Sequence, residues 1–442
     1  MNILILDQTG SAVDFALRCM KAGHHVRVCM AYDKETKQRR IIGDGLVEKL
    51  EREEWQRSAG WSDLILTTDN VKWLHELDVY KKKGYPVFAP SFSSAELELD
   101  RNKGQQFLSK CGVKTIPFQM FSDYRAAEKH VIARSERFVS KPNGDKDKAL
   151  SYVSKSPADM LFMLRRWQEK NKGVGQFMLQ EFVPGVEFAV NGWLGKEGFA
   201  SFIEESFEHK KLMAGDVGPN TGEQGTAIKY VKDSALAREI LLPLERGLIK
   251  MGHTGSVDVS CIVDENGDPR PLEFTSRPGW PAFNIVQPLH PDPCEWMLHL
   301  LDGEDTFLPL TDHAIGVVLT IPPFPNDKVI LKDVSGVPLY GMDDENPYRD
   351  MLCPCEVMSG EAPAMEGDEL LEKKRLMVSA GAYLAVAVGL GETLSAAQKE
   401  AYKAVDSLEV PQNLQYRTDI GDKMKKAIPE LQEHGFAMDW EY

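Results

Sequence analysis

Residues 255–279 read GSVDVSCIVDENGDPRPLEFTSRPG. Two runs rich in β-branched and apolar residues flank Asn266-Gly267, the strongest short-range hairpin signal in the chain. A two-residue turn on that pair sets Asp258 opposite Thr275 and Ser260 opposite Glu273, so all four side chains share one face. The two carboxylates then stand on a diagonal roughly 7–8 Å apart at the backbone, and such a pair can reach one hard divalent cation through oxygen ligands. A polar sheet face turned to water would carry the same residues. Register decides between them, because a one-residue slip sends Glu273 to the other face, and Pro269 leaves room for a longer loop.

The surrounding chain has 442 residues, 43% of them hydrophobic. That is enough for a large core and more than one ordinary domain holds, so about two to four domains are expected. A formal charge of −15 argues against a nucleic-acid partner but leaves room for a local basic pocket that takes a phosphorylated small molecule. Seven cysteines, an odd number without framework spacing, point to a reducing compartment and a cytoplasmic location. Cys353 and Cys355 form the one close pair, and without a second pair they read as ordinary thiols rather than a metal site. No stretch approaches the ~20 continuous apolar residues of a membrane span. The opening MNILILDQTG reads as a first strand, not a leader peptide.

NILIL, an amphipathic segment after DQTGS, VRVCMA, DLILTT and PVFAP alternate strand and helix up to about residue 115. This pattern predicts a parallel α/β domain. Gly10 in the first turn reads either as a tight turn or as part of a phosphate-accepting helix start. From KTIPFQMF (114–121) an α+β pattern takes over, with Ser156-Pro157 as a helix start. It continues to about residue 320, where TIPPFPND interrupts it. The remainder contains the strand YLAVAVGLG (383–391) and a helix that Ser395 and Gln398 would open as a capping box.

Lys141 follows the strand RFVS and precedes a proline, which holds it extended and able to aim its ammonium at a phosphate. Gln180 and Glu181 end another strand, whose backbone groups could meet an adenine edge while Glu187, past a Pro-Gly turn, accepts a ribose hydroxyl. Each alone also reads as a solvated surface residue.

Taken in order, these stretches resemble the ATP-grasp superfamily, which clamps a nucleotide between two α+β lobes, and more narrowly the phosphoribosylamine-glycine ligase family. The resemblance runs nearly end to end. It includes LDRNKGQQFLSKCGVKTIPF (99–118), FVSKPNG (138–144), QEFVPGVEFAV (180–190), HKKLMAGDVGPNTGEQGTA (209–227), PLEFTSRPG (271–279), YLAVAVGLGETLSAAQKEAYKAV (383–405) and YRTDIG (416–421). It implies an N-terminal pre-ATP-grasp domain over 1–115, a small lobe over 116–186, a large lobe with the metal site over 187–322, and a small C-terminal α/β domain over 323–442.

Carried over position by position, the resemblance implies that Lys103 and Lys141 bind the triphosphate, Gln180, Glu181 and Val183 contact adenine, and Glu187 holds the ribose. Asp258, Glu273 and Thr275 would bind Mg²⁺ (or Mn²⁺), with Thr275 where the family has asparagine. Arg277, Lys210 and Asn220 would act at the reacting groups, and GDVGPNTGEQG would be a mobile loop over them. The implied activity is ATP-dependent ligation of a carboxylate, such as an amino acid, to an amine through an acyl phosphate, in a monomer or homodimer. The acceptor side departs from the family. DQTGSAVDFA (7–16) replaces a glycine-rich loop followed by Arg-Glu-His, and GEQG (222–225), GWPA (279–282) and IPPFP (321–325) replace other family motifs. Alternatives are therefore a ligase for a different amino acid and amine, or a nucleotide-binding homologue without catalysis.

Overall fold

In the computed structural model, all residues are described except 34–36, 52–53, 144–150, 171–174, 327–330 and 412. Gly144 of the FVSKPNG stretch thus lies outside the described residues. The N-terminal strands β1 (Asn2–Asp7), β2 (His25–Met30), β3 (Glu48–Leu50), β4 (Leu64–Thr67) and β5 (Val87–Phe88) form a sheet in the order β3-β2-β1-β4-β5. Every pairing in it is parallel. Ile3 to Leu6 are fully buried because β1 sits in the middle with both faces covered.

The first turn settles the two readings of Gly10. The Asp7 carboxylate accepts hydrogen bonds from the N–H groups of Thr9, Gly10 and Ala12 at 2.9–3.1 Å and from the Thr68 hydroxyl at 2.9 Å. Gly10 has φ +93°, and a Cβ there would strike Ile42. The donors that a phosphate would need are already taken, so this is a tight turn.

A four-stranded antiparallel sheet follows, built from β6 (Phe118–Phe121), β7 (Phe138–Pro142), β8 (Tyr152–Val153) and β9 (Phe177–Glu181) in the order β6-β9-β7-β8. Its core is Phe121, Phe138, Phe177 and Leu179 packed on Val131, Leu164 and Trp167. The last two come from the helix Pro157–Glu169, which Ser156 caps through the Asp159 N–H.

The largest sheet has eight strands: β10 (Gly185–Leu194), β11 (Ile203–Glu208), β14 (Gly225–Val231), β15 (Gly255–Asp264), β16 (Pro269–Thr275), β17 (His313–Thr320), β18 (Leu352–Pro354) and β21 (Tyr383–Gly391), ordered β16-β15-β10-β11-β14-β17-β21-β18. Two ribbons project from it, β12 (Lys211–Met213) with β13 (Val217–Asn220), and β19 (Val357–Glu366) with β20 (Glu369–Ser379). Four residues of the 215–225 stretch, Val217–Asn220, form one strand of the first ribbon.

Residues beyond 322, expected as a small C-terminal α/β domain, contribute β18 and β21 to this sheet. β21 pairs with β17 from His313–Gly391 to Thr320–Tyr383. Leu384 to Val388 are fully buried, so YLAVAVGLG covers the neighbouring core rather than building its own. The helix behind it starts two residues earlier than expected: Thr393, not Ser395, caps Leu394–Asp406. That start turns Leu394, Ala397 and Ala401 inward, and Gln398 is freed to bond the Ile420 carbonyl.

Candidate active site

Side chains alternate across a strand, so pairing fixes which residues share a face. In the large sheet Asn191 of β10 stands opposite both Asp258 and Glu204, and Glu208 stands opposite Thr226. The resulting face is polar. With Ser206, Ser256, Ser260, Glu273 and Thr275 it lines a cleft of about 210 Å³ that Lys210, Glu223, Arg277, Trp280 and Phe283 close.

The hairpin reaches the expected register by an unexpected route. Its turn is a three-residue loop, with Gly267 at φ +78° and its N–H donating to the Asp264 carbonyl at 2.9 Å. This displaces the pairing by one residue, Val263 facing Pro269 and Cys261 facing Pro271. A bulge between Ser260 and Cys261 then restores it, so that Ser260 faces Glu273 and Asp258 faces Thr275. Leu272 is the extra residue, and its carbonyl accepts from Lys141 Nζ at 3.2 Å and from Gln105 Nε2 at 3.3 Å. The bulge thus aims the carboxylates and anchors the lysine of the small lobe at the same point.

The charges of the cleft are strongly coupled. Burial favours a protonated Glu273, yet Arg101, Lys141 and Lys210 together hold its carboxyl down to about 2. Arg101 Nη1 clasps it directly. Lys141 is pushed down to about 8 by burial, against the pull of Glu273. Lys210 opposes its own desolvation with ion pairs to Glu187 at 2.7 Å and Glu208 at 2.9 Å, and its pKa lies well above the usual lysine value. Asp258 moves the other way: burial, Glu208 and Glu204 push it well above the carboxylate range. Burial and Glu208 do the same to Glu223, whose Oε1 is buried with no hydrogen-bond partner among the described residues. Burial also lifts Glu204 to about 7, although Asn191 donates to it at 3.0 Å.

Of the residues that the sequence points to, Asp258, Glu273, Thr275, Arg277 and Lys210 come together in the cleft wall, and Lys141 reaches it at Leu272. Arg277 is braced by Glu98 at 3.3 Å. Glu187 is exposed at the rim, paired to Lys210. Gln180 is buried in β9 with its Nε2 unpartnered among the described residues. Glu181 bonds Arg134 at 2.8 Å, and Val183 lies in the connection from β9 to β10. Lys103 lies apart from these: it is exposed on the helix Arg101–Lys110 and paired to Glu96 at 2.6 Å. Asn220 is exposed on the ribbon.

Arg101, Glu204, Glu208, Glu223 and Asn191 are site residues that the sequence reading passes over. The alternation Glu204-Ser206-Glu208 against Ile203-Glu205-Phe207 carries a signal of period two that marks β11 as having one polar face. Arg101 carries no such signal. Its role emerges only where its helix meets β16.

The donor set fits a hard divalent cation. Five carboxylates line one cleft, Glu204, Glu208, Glu223, Asp258 and Glu273, and three of them, Glu204, Glu223 and Asp258, are held protonation-prone by burial and by repulsion from neighbouring carboxylates. A divalent ion there would relieve that repulsion through oxygen ligands. Among the described residues, no three of these carboxylates lie within 4.8 Å of one another, and Glu273 is turned to Arg101 instead.

Residues 100–282 match the family model for the phosphoribosylglycinamide synthetase ATP-grasp (A) domain. The chain has the ATP-grasp fold. A crystal structure of phosphoribosylamine–glycine ligase from Thermotoga maritima superposes with a TM-score of 0.71 at 22% identity, over 95% of this chain and 100% of that one. An L-amino acid ligase from Bacillus licheniformis superposes at 0.59 with 15% identity, over 93% and 98%. Among curated relatives, the phosphoribosylamine–glycine ligase of Ralstonia nicotianae is 26% identical over 362 residues, covering 78% of this chain and 81% of the relative. That of Streptococcus pneumoniae R6 is 25% identical over 364 residues, covering 79% and 81%. The matched ATP-grasp segment runs from the helix bearing Arg101 to the residues just past Trp280, and so includes both carboxylates of the hairpin.

Proposed function

We propose that this chain is an ATP-dependent ligase that joins a carboxylate to an amine, forming an acyl phosphate and then an amide with release of ADP and phosphate. The observation that carries this is the meeting of Asp258 and Glu273 with Lys141, Lys210 and Arg277 around one cleft. Amide formation needs no protein nucleophile here. The work is to hold a nucleotide and a carboxylate in line and to offset charge on the transferring phosphoryl group.

Asp258, Glu273 and Thr275 would hold Mg²⁺, whose contribution when bound is to neutralise charge on the phosphoryl oxygens. Lys141, whose ammonium donates to the Leu272 carbonyl at the bulge, would offer its charge to the nucleotide's phosphates. Arg277 offers a planar, permanently charged fork suited to phosphoryl or acyl-phosphate oxygens. Glu187 and the backbone around Glu181 and Val183 would take the nucleoside. Glycine and phosphoribosylamine are the substrate pair by which the relatives are named. The changed acceptor-side stretches and the indole of Trp280 favour testing other amines beside it.

A cytoplasmic location is part of the proposal, supported by seven free cysteines. No helix among the described residues is long and apolar enough to cross a membrane.

The test is ADP release from ATP and Mg²⁺ with glycine and phosphoribosylamine, set beside a panel of amino acids and amines. Turnover with the first pair fixes the substrates, turnover with another pair moves the acceptor, and no ADP with any pair overturns the proposal.

A further inference from the structure

Away from the cleft, where the first helix (Val13–Lys21) meets the turn before the helix Glu295–Asp302, three chemically different donors converge. One ligand atom each from His24, Asp292 and Cys294 lies within 4.8 Å of the other two. His24 Nε2 is buried, has no hydrogen-bond partner among the described residues, and stands 3.8 Å from Asp292 Oδ2. The imidazole is oriented from its other side, Nδ1 lying 3.1 Å from the Met1 amino nitrogen. Asp292 is also set in advance: its Oδ1 accepts from the Cys294 N–H at 2.8 Å and from the Glu295 N–H, which leaves Oδ2 for the histidine. Cys294 is fully buried, as is Cys19 of the first helix.

We propose that His24, Asp292 and Cys294 form a binding site for a soft divalent cation of the zinc class, distinct from the ATP cleft. The donor set is one imidazole nitrogen, one carboxylate oxygen and one sulfur, the ligand types of a zinc site whose fourth position is left to water. Sulfur makes it a poor site for Mg²⁺, so the two sites select different ions from a mixture. The Asp292 carboxylate, held through Oδ1 by two backbone N–H groups, has the kind of support that a ligand of this class needs. Asp292 keeps 38% of its side-chain surface exposed, which gives an ion a way in.

Binding converts the Cys294 thiol to a thiolate, so loading releases one proton to solvent. The bound ion would tie the turn after the first helix to a segment some 270 residues later in the chain, 294 less 24. It would raise stability by mass action without entering the ligase reaction.

The test uses the full chain, stripped of metal and reduced with a phosphine, titrated with Co²⁺ as an optical probe and then with Zn²⁺. One Co²⁺ per chain with a near-ultraviolet thiolate charge-transfer band, displaced by Zn²⁺, is expected. Cys294→Ser should abolish the band, and His24→Ala should weaken binding by at least about tenfold. Asp292→Asn, at a half-exposed position, gives the same direction of change if Cys294→Ser fails to fold. Zn²⁺ should raise the melting temperature of the parent but not of His24→Ala. A missing band, or one that survives Cys294→Ser and instead disappears in Asp258→Asn, overturns the proposal.

Discussion

Arg101 Nη1 is ion-paired to Glu273 Oε2, joining the helix that opens the ATP-grasp segment to β16 of the hairpin. The pair has a functional cost. While Arg101 holds Glu273, that carboxylate is charged but engaged, and at the proposed metal site an ion would compete with Arg101 for it. Glu273→Gln should keep the far-ultraviolet circular dichroism of the parent and lower ADP formation by at least about 100-fold, because a lost ligand strips charge compensation from phosphoryl transfer. Turnover within a few-fold of the parent would remove Glu273 from the metal site.

The same pair predicts an acid limb. Glu273 is depressed from 4.5 to about 2, so its folded form binds the proton less readily than the unfolded chain does. The stabilisation is complete above about pH 4.5 and is lost as the pH falls toward 2. Denaturant midpoints between those limits should fall less steeply in Glu273→Gln than in the parent.

Asp258 has the opposite sign. Its carboxyl is raised by burial, Glu208 and Glu204, so the ion-free protein loses stability as the pH climbs from the ordinary aspartate value toward the raised one. Asp258→Asn should therefore raise the melting temperature of the ion-free protein at neutral pH while abolishing Mg²⁺-dependent stabilisation. Calorimetry with and without Mg²⁺ reads both effects. A variant less stable than the parent in chelator would mean that Asp258 is not under repulsion.

The Asp258–Thr275 and Ser260–Glu273 pairings were legible in the chain because alternation on β15 and β16 places polar residues where apolar ones would otherwise fall. The path to them was not. The Asn266-Gly267 signal marks the turn but cannot show that the loop has three residues, nor that a bulge at Leu272 restores the register. Both depend on what the small lobe and the Arg101–Lys110 helix press against the hairpin, namely Lys141 and Gln105 at the Leu272 carbonyl. That the C-terminal segment adds strands to the large sheet was hidden for a related reason. TIPPFPND breaks the local pattern, but strand pairing across the sheet is long-range, and β21 completes a sheet begun some 200 residues earlier, 383 less 185.

Arg417 of YRTDIG ties that C-terminal segment to the ribbon beside the cleft. Its side chain is 1% exposed and is paired to Asp216 at 2.8 Å and Asp419 at 2.7 Å, and Asp419 in turn accepts from the Gly215 N–H at 2.8 Å. Arg417→Ala should lower stability by about 2–3 kcal/mol, below the 3–5 kcal/mol of a fully buried pair because Asp216 keeps access to water. It should also expose the 211–220 ribbon to limited proteolysis. An unchanged cleavage pattern there would show that the ribbon is held by other contacts.

Trp280 and Phe283 pack edge to face at 5.3 Å on the cleft wall, and they separate recognition from packing. Phe283 is 3% exposed and also touches Phe15 and Trp193. Truncating it to alanine should cost about 3–5 kcal/mol of stability. Trp280 is only partly buried, so its indole has a free face for an acceptor. Trp280→Ala should leave the melting temperature close to the parent's and the KM for ATP unchanged. The KM for the amine should rise by roughly tenfold, the equivalent of about 1.4 kcal/mol of lost contact. Steady-state kinetics with each substrate varied in turn decides this: equal changes in both KM values would place Trp280 in the common scaffold, and a change confined to the amine assigns it to the acceptor pocket.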